Sequence, residues 1–253
     1  MDLGLQDRVY VVTAATRGLG YATAEQLLAE GARLVVTGRS TESVEDAVAR
    51  LGDPARVVGL AADNGDPATA QALVDTAVAA FARLDGVLIS VGGPPAGGVR
   101  EVTDDQWRDA FESVFLGAIR IARTAAPVLE AGGAIAFVLS GSVREPIAGL
   151  AVSNGLRPGL AMAAKTLANE LGPRGIRVVS LLPARIETER VAHLDSLAPD
   201  PAAARVAAQA AIPLRRYGEP AEFGRVAAFV LSPAAGYLTG LTLPVDGGAL
   251  HGL

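Results

Sequence analysis

The chain reads as one α/β domain: a doubly wound, mainly parallel sheet of seven strands with helices on both faces. Three observations predict it. Short β-branched runs alternate with longer Ala- and Leu-rich segments over the whole length. Several of those runs are continuously apolar, as parallel strands covered on both faces must be. A glycine-bearing turn joins the first run to the first helical segment. No linker, repeat or charge block interrupts the alternation, so right-handed βαβ units follow and residues 1–253 form a single domain.

In order, the strand candidates are Val9–Thr13, Arg33–Thr37, Val57–Ala61, Val87–Ser90, Ile135–Leu139, Val178–Leu182 and Thr242–Val245. A helix is expected over Tyr21–Glu30, and Val44, Val48 and Leu51 keep helical spacing in the next. Thr103 and Gln106 form a capping box opening a helix that carries Trp107, Phe111, Val114 and Phe115. Another helix is predicted to start near Asn154–Leu156. Ser153, Asn154 and Gly155 favour N-caps there, and Pro158 is comfortable only in a first turn. Pro220 is placed at the first position of a helix holding Phe223, Val226 and Phe229. The uncharged run Val226–Val245 has 20 residues, enough in principle to span a bilayer. Ser232-Pro233, Gly236, Gly240 and Pro244 break it, so it reads as soluble core.

Composition narrows the function. Of 253 residues half are hydrophobic and 19% charged, which suits a large buried core. The net charge is −5 with both signs interspersed, which argues against a nucleic-acid surface and for small-molecule partners. The absence of cysteine excludes disulfides, thiolate metal sites and a Cys nucleophile, and fits a cytoplasmic protein. The N-terminus has neither the basic nor the apolar region of a signal peptide. His193 and His251 lack metal-ligand spacing and read as surface residues, so no metal site is expected.

The first turn, Thr13-Ala14-Ala15-Thr16-Arg17-Gly18-Leu19-Gly20, sits between strand and helix. Backbone N–H groups in such a turn can approach a pyrophosphate at the positive end of the helix. The bland reading is an ordinary βα turn. An NAD site places an acid about 20 residues on, to hold the ribose 2′-hydroxyl. Here the second strand ends Thr37-Gly38-Arg39-Ser40, and Arg39 with Ser40 and Arg17 suits a 2′-phosphate instead. A merely solvated Arg39 is the alternative; NADP(H) is the favoured cofactor.

The loop resembles the Thr-Gly-x-x-x-Gly-x-Gly motif of the short-chain dehydrogenases/reductases, a Rossmann-fold family, with Ala14 at the first glycine. Alanine is expected there only with a negative φ. Further matches span nearly the whole chain. Asp63-Asn64 resembles the family's adenine contact, and Ser90-Val91-Gly92-Gly93 replaces Asn-Asn-Ala-Gly. Pro183-Ala184-Arg185-Ile186-Glu187-Thr188 resembles the segment beside the nicotinamide, and Tyr237-Leu-Thr-Gly with Val245-Asp-Gly-Gly the C-terminal signature. The resemblance thus implies cofactor contacts at Thr13, Thr16, Arg17, Gly18, Leu19, Gly20, Asp63, Asn64, Gly92, Pro183, Ile186 and Thr188. It also implies a substrate lid at about 187–213, whose apolar content suits a hydrophobic substrate, and a homotetramer. The small face Ala161, Ala164, Ala168 would suit close packing between subunits.

In that family a Tyr-x-x-x-Lys pair, an upstream Ser and an Asn in the preceding long helix handle the proton. Hydride addition to C=O creates an alkoxide, so an acid and oxyanion donors are needed. Alignment puts Ser153 at the Tyr position, Arg157 at the Lys, Val114 at the Asn and Ser142 at the Ser. Ser153 is a far weaker acid than Tyr, and an Arg with pKa above about 12 does not shuttle protons. Losing a general acid typically costs about 10²–10⁴ in rate. At the Lys position the resemblance implies that Arg157 contacts the nicotinamide ribose. Structural readings stand beside these: Ser153 as a cap or loop residue, Ser142 as a strand-end hydroxyl, and Arg157 in a surface or structural ion pair. Three functions remain open: an NADP(H)-dependent oxidoreductase on a carbonyl or alcohol, an NADP(H)-binding protein without turnover, and a serine hydrolase. The last uses Ser153 in the near-elbow Ala151-Val-Ser-Asn-Gly155, with Asp195, Asp246 and His251 following.

Overall fold

In the computed structural model, which describes residues 1–252, the apolar runs become seven strands. They are β1 (Val9–Val12), β2 (Arg33–Gly38), β3 (Val57–Ala61), β4 (Gly86–Ile89), β5 (Ala134–Val138), β6 (Arg177–Pro183) and β7 (Leu241–Val245). All pair in parallel in the order β3-β2-β1-β4-β5-β6-β7. The order reverses between β1 and β4, and ligands of open parallel sheets bind beyond the strand C-termini at that switch point.

Among the described residues nine α-helices cover the sheet: α1 (Gly18–Ala29), α2 (Thr41–Leu51), α3 (Thr69–Phe81), α4 (Asp104–Ala110), α5 (Gly117–Ala125), α6 (Ala151–Leu171), α7 (Glu189–Ser196), α8 (Pro201–Ala211) and α9 (Pro220–Leu231). Two apolar layers result. One face packs α3, α5 and α6 on Val11, Val87, Ile135, Phe137 and Val178. The other packs α1 and α9 on Tyr10, Val12, Leu34, Val36 and Leu181. Buried Arg177 fastens α9 to β6 by donating to the carbonyls of Val230, Leu231 and Ser232, which the helix C-terminus leaves without internal partners.

The Thr103–Gln106 capping box and the Pro220 helix start form as expected. Four expectations change. First, α1 begins at Gly18, three residues before Tyr21, because Gly18 and Leu19 enter the first turn. Second, the helix of Trp107 and Phe115 contains a π-helical stretch, Phe111–Leu116, which joins α4 to α5 and carries Val114.

Third, α6 starts at Ala151, with Leu150 and not Ser153 at its N-cap, and holds Pro158 in its interior. Tertiary hydrogen bonds fix that start. Gly97 N donates to Gly149 O, Ala151 N to Gly97 O, and the Asn154 amide grips both backbone groups of Ile147. They outweigh the proline, which costs about 3 kcal/mol inside a helix. Fourth, Ala161, Ala164 and Ala168 are buried against the chain's own sheet and are therefore not a surface for a neighbouring subunit.

The uncharged run Val226–Val245 divides into the end of α9, a 3₁₀ turn at Pro233–Ala235 and β7. Among the described residues no helix is long and apolar enough to cross a membrane.

Candidate active site

Thr13–Arg17 carry the chain from β1 over the sheet edge into α1, and Ala15 N donates to Thr37 O of β2 at 2.7 Å. Ala14 adopts φ +50, contrary to the negative value expected of an alanine. The tight turn demands the left-handed region there, at a cost of roughly 1–2 kcal/mol for a residue with Cβ. Gly20 cannot be replaced: a Cβ would lie 2.4 Å from Ala14 O. No side chain caps α1 and no acid sits in its first turn, whereas Ser40, Thr188 and Asp200 cap α2, α7 and α8. The first N–H groups of α1 are thus left to an outside acceptor, and the positive end of the helix faces it. Thr16–Gly20, with Leu19 between the glycines, fit the diphosphate of a dinucleotide.

The other expected cofactor residues lie around this loop with different engagements. Arg39 is exposed at the end of β2, beside the N-cap Ser40, whose Oγ accepts from Ser43 N. Arg17 is paired with Glu189 of α7. Thr13 and Asn64 serve the scaffold: Ser90 N donates to Thr13 Oγ1 at 2.8 Å, and Asn64 Nδ2 donates to Ser90 O at 3.0 Å. This buried knot ties β1, the end of β3 and β4 together. Asp63 accepts from Gly65 N and shapes its own turn. Gly92 faces open space. Pro183 ends β6, Ile186 is buried and bridges to Gly218, and Thr188 caps α7 with its methyl toward Gly18.

Beyond β5, Ser142 lies in a 3₁₀ turn and Ser153 in the first turn of α6. Both are 4% exposed, with their Oγ atoms 2.9 Å apart. One turn along α6, Arg157 is 5% exposed; its Nη1 donates to Val138 O at 2.7 Å, and its Nε has no partner. Burial, and then the neighbouring Arg190 charge, bring Arg157 down to about 10, still a cation at neutral pH. Ser153 is therefore a buried partner of Ser142, and Arg157 is not the surface or ion-paired residue of the bland readings. Val114 is buried in an apolar cluster with Ala110 and Val152 and offers no polar atom. The chain's single lysine, Lys165, lies beside Gly240.

No hydrolase triad forms around Ser153. His193 is exposed, and His251, 89% exposed, pairs with Glu145. Asp195 is held by Arg185 and by the Tyr217 hydroxyl, and Asp246 by backbone N–H groups of Gly248 and Leu250. Among the described residues no cluster of ligands could hold a metal ion.

Sequence reasoning passed over Arg190, at the second position of α7. It reaches back across the site to donate to Pro94 O, and its guanidinium lies on Gly93, where a Cβ would meet Nε at 2.5 Å. Its place two residues beyond Thr188 was the available signal.

Comparison with known proteins agrees with this geometry. A family model described as enoyl-(acyl carrier protein) reductase matches residues 13–250. An uncharacterized oxidoreductase of Mycobacterium tuberculosis is 34% identical over 249 residues, covering 96% of this chain and 92% of that one. Human dehydrogenase/reductase SDR family member 4 is 32% identical, covering 96% and 88%. The structure of L-sorbose reductase from Gluconobacter frateurii, complexed with NADPH and L-sorbose, superposes with a TM-score of 0.93 at 29% identity and full coverage of both chains.

Proposed function

Because the chain belongs to the short-chain dehydrogenase/reductase family, whose members bind a nicotinamide cofactor and act on small molecules, we propose an NADP(H)-dependent oxidoreductase. It transfers hydride to or from a carbonyl or alcohol, with Ser153 and Arg157 where relatives carry Tyr and Lys. The observation that carries the cofactor choice is the end of β2, where Arg39 and Ser40 stand in place of an acid, beside the uncapped N-terminus of α1. A guanidinium suits a 2′-phosphate and a carboxylate would repel it.

When bound, the cofactor supplies the hydride. The chain's residues do the rest. Thr16–Gly20 receive the diphosphate, Arg39 and Ser40 the 2′-phosphate, and Thr188 closes the nicotinamide side. Ser142 and Ser153, coupled at 2.9 Å, offer hydroxyl donors to the substrate oxygen. Arg157 remains protonated and favours the negative charge that develops there. The final proton comes from solvent through the serine pair, so turnover is slow. The segment 187–213, with α7 and α8, acts as the lid over a hydrophobic substrate. On this reading the enzyme is cytoplasmic and tetrameric.

A second reading, an NADP(H)-binding protein without turnover, is favoured by the buried Val114 and the mutual satisfaction of the two serines. Calorimetry with NADPH and NADH, followed by NADPH consumption across a panel of ketones and aldehydes, tests both. Tighter NADPH binding with measurable consumption supports the oxidoreductase. NADPH binding with no consumption above background selects the second reading, and absence of NADPH binding overturns both.

A further inference from the structure

Two cations stand beyond the C-terminal ends of adjacent strands: Arg157 at the carbonyl of Val138, which ends β5, and Arg190 over the loop after β4. Arg157 is buried with an unpartnered Nε, and the Arg190 charge acts on it across the site. Arg190 is half-buried between α7 and the loop after β4, and its one hydrogen-bond partner is the Pro94 carbonyl. Among the described residues no carboxylate lies within ion-pair distance of either, although acids are close by. Four neighbouring arginines each have one: Arg17 with Glu189, Arg185 with Asp195, Arg205 with Glu187 and Arg216 with Glu222. A buried guanidinium with an unpartnered N–H and a second cation nearby costs free energy unless an anion reaches it.

We propose that Arg157 and Arg190 bind a carboxylate on the substrate, so that the enzyme acts on a carbonyl or hydroxy acid. The proposal rests on the oxidoreductase reading of the same site. Ser153, one turn before Arg157 on α6, and its partner Ser142 hold the oxygen of the reacting carbon. The arginines hold the acid group beside it. The diphosphate of the cofactor is the rival anion. It already has the N–H groups at the start of α1, and Arg17, the arginine of that loop, is paired with Glu189. Arg190 lies instead over Gly93, in the loop after β4. The pair also explains why an arginine stands at 157: its branched donors reach a carbonyl of β5 and a second acceptor at once, as a single ammonium does less well.

The test is calorimetry on the full chain saturated with NADPH, with benzoate and butyrate as probes and benzamide and butyramide as their uncharged counterparts. The expected result is that the carboxylates bind at least about tenfold more tightly than the amides, as loss of a charge-assisted contact requires. In Arg190→Gln that preference falls to near unity while NADPH binding stays within about threefold. Arg157→Met provides a second variant with the same expected loss. Equal binding of acids and amides overturns the proposal and leaves the oxidoreductase reading standing. So does carboxylate binding that NADPH displaces, since the arginines then belong to the cofactor. Where NADPH itself fails to bind, the cofactor reading is lost. The apo protein then decides this one: carboxylate preference abolished by Arg190→Gln upholds the anion site, and no preference ends it.

Discussion

Replacing Arg157 by methionine separates a residue kept for function from one kept for stability. Burial and the neighbouring Arg190 lower the guanidinium from its ordinary value, more than two pH units higher, to about 10. At about 1.4 kcal/mol per pH unit, holding the charge in the folded protein costs about 3 kcal/mol. Against this stands one charge-assisted hydrogen bond, Nη1 to Val138 O at 2.7 Å, in a class worth about 1.5–3 kcal/mol. Methionine fills much of the volume without the charge, so Arg157→Met stabilises the apo protein by about 1 kcal/mol net, raising Tm by about 2–4 °C. Urea unfolding at neutral pH measures it, and NADPH consumption on the same samples is expected to fall by about a hundredfold or more. The pH dependence has a definite sign. The folded pKa lies below the unfolded one, so the penalty is fully present below pH 10 and is relieved as pH rises through about 10 toward the ordinary range of a guanidinium. The variant's advantage should therefore be constant from pH 7 to about pH 9 and shrink as pH rises through about 10. Destabilisation by more than about 2 kcal/mol would refute the reasoning, because Arg157 would then be a structural cation satisfied within the fold.

Arg39→Ala should raise the KM for NADPH by about ten- to a hundredfold and leave that for NADH nearly unchanged, in steady-state assays with each cofactor. Ser142→Ala removes a donor to the substrate oxygen and the partner of Ser153. Its kcat should drop by about 10²-fold with cofactor affinity intact, as read by stopped-flow turnover and NADPH calorimetry. Asp195→Ala strips Arg185 and the Tyr217 hydroxyl of their shared acceptor. It should loosen residues 187–213 by about 1–2 kcal/mol, seen as faster hydrogen exchange confined to that segment. Arg216, and then the Glu219 backbone N–H, hold the Glu222 carboxyl down to about 2 from the ordinary 4.5. Its stabilisation is thus present above pH 4.5 and lost as pH falls toward 2. Glu222→Gln should be less stable than the parent at pH 6 and converge with it in acid, by thermal melts across that range.

What the sequence by itself determined is the architecture, with the glycine turn between β1 and α1 and the arginine at the end of β2. Each of the seven strands falls within one residue of its apolar run at either end. The period and length of an apolar segment are local properties, and a covered parallel strand leaves a continuous trace. The glycine turn and the arginine at the end of β2 were legible for the same reason, since backbone geometry and charge act where they stand. The tertiary structure decided the rest. Ala14 is left-handed because the turn between β1 and α1 demands it. The N-terminus of α6 is set by Gly97, far back in the chain, together with the nearby Ile147, against the local preference of Pro158. Thr13 and Asn64 turn inward because Ser90 waits there as their partner. Arg190 reaches the Pro94 carbonyl only because α7 folds back over the loop after β4. Contacts between residues distant in sequence depend on how the elements are stacked, and burial and electrostatics are properties of that stacking and not of any short segment.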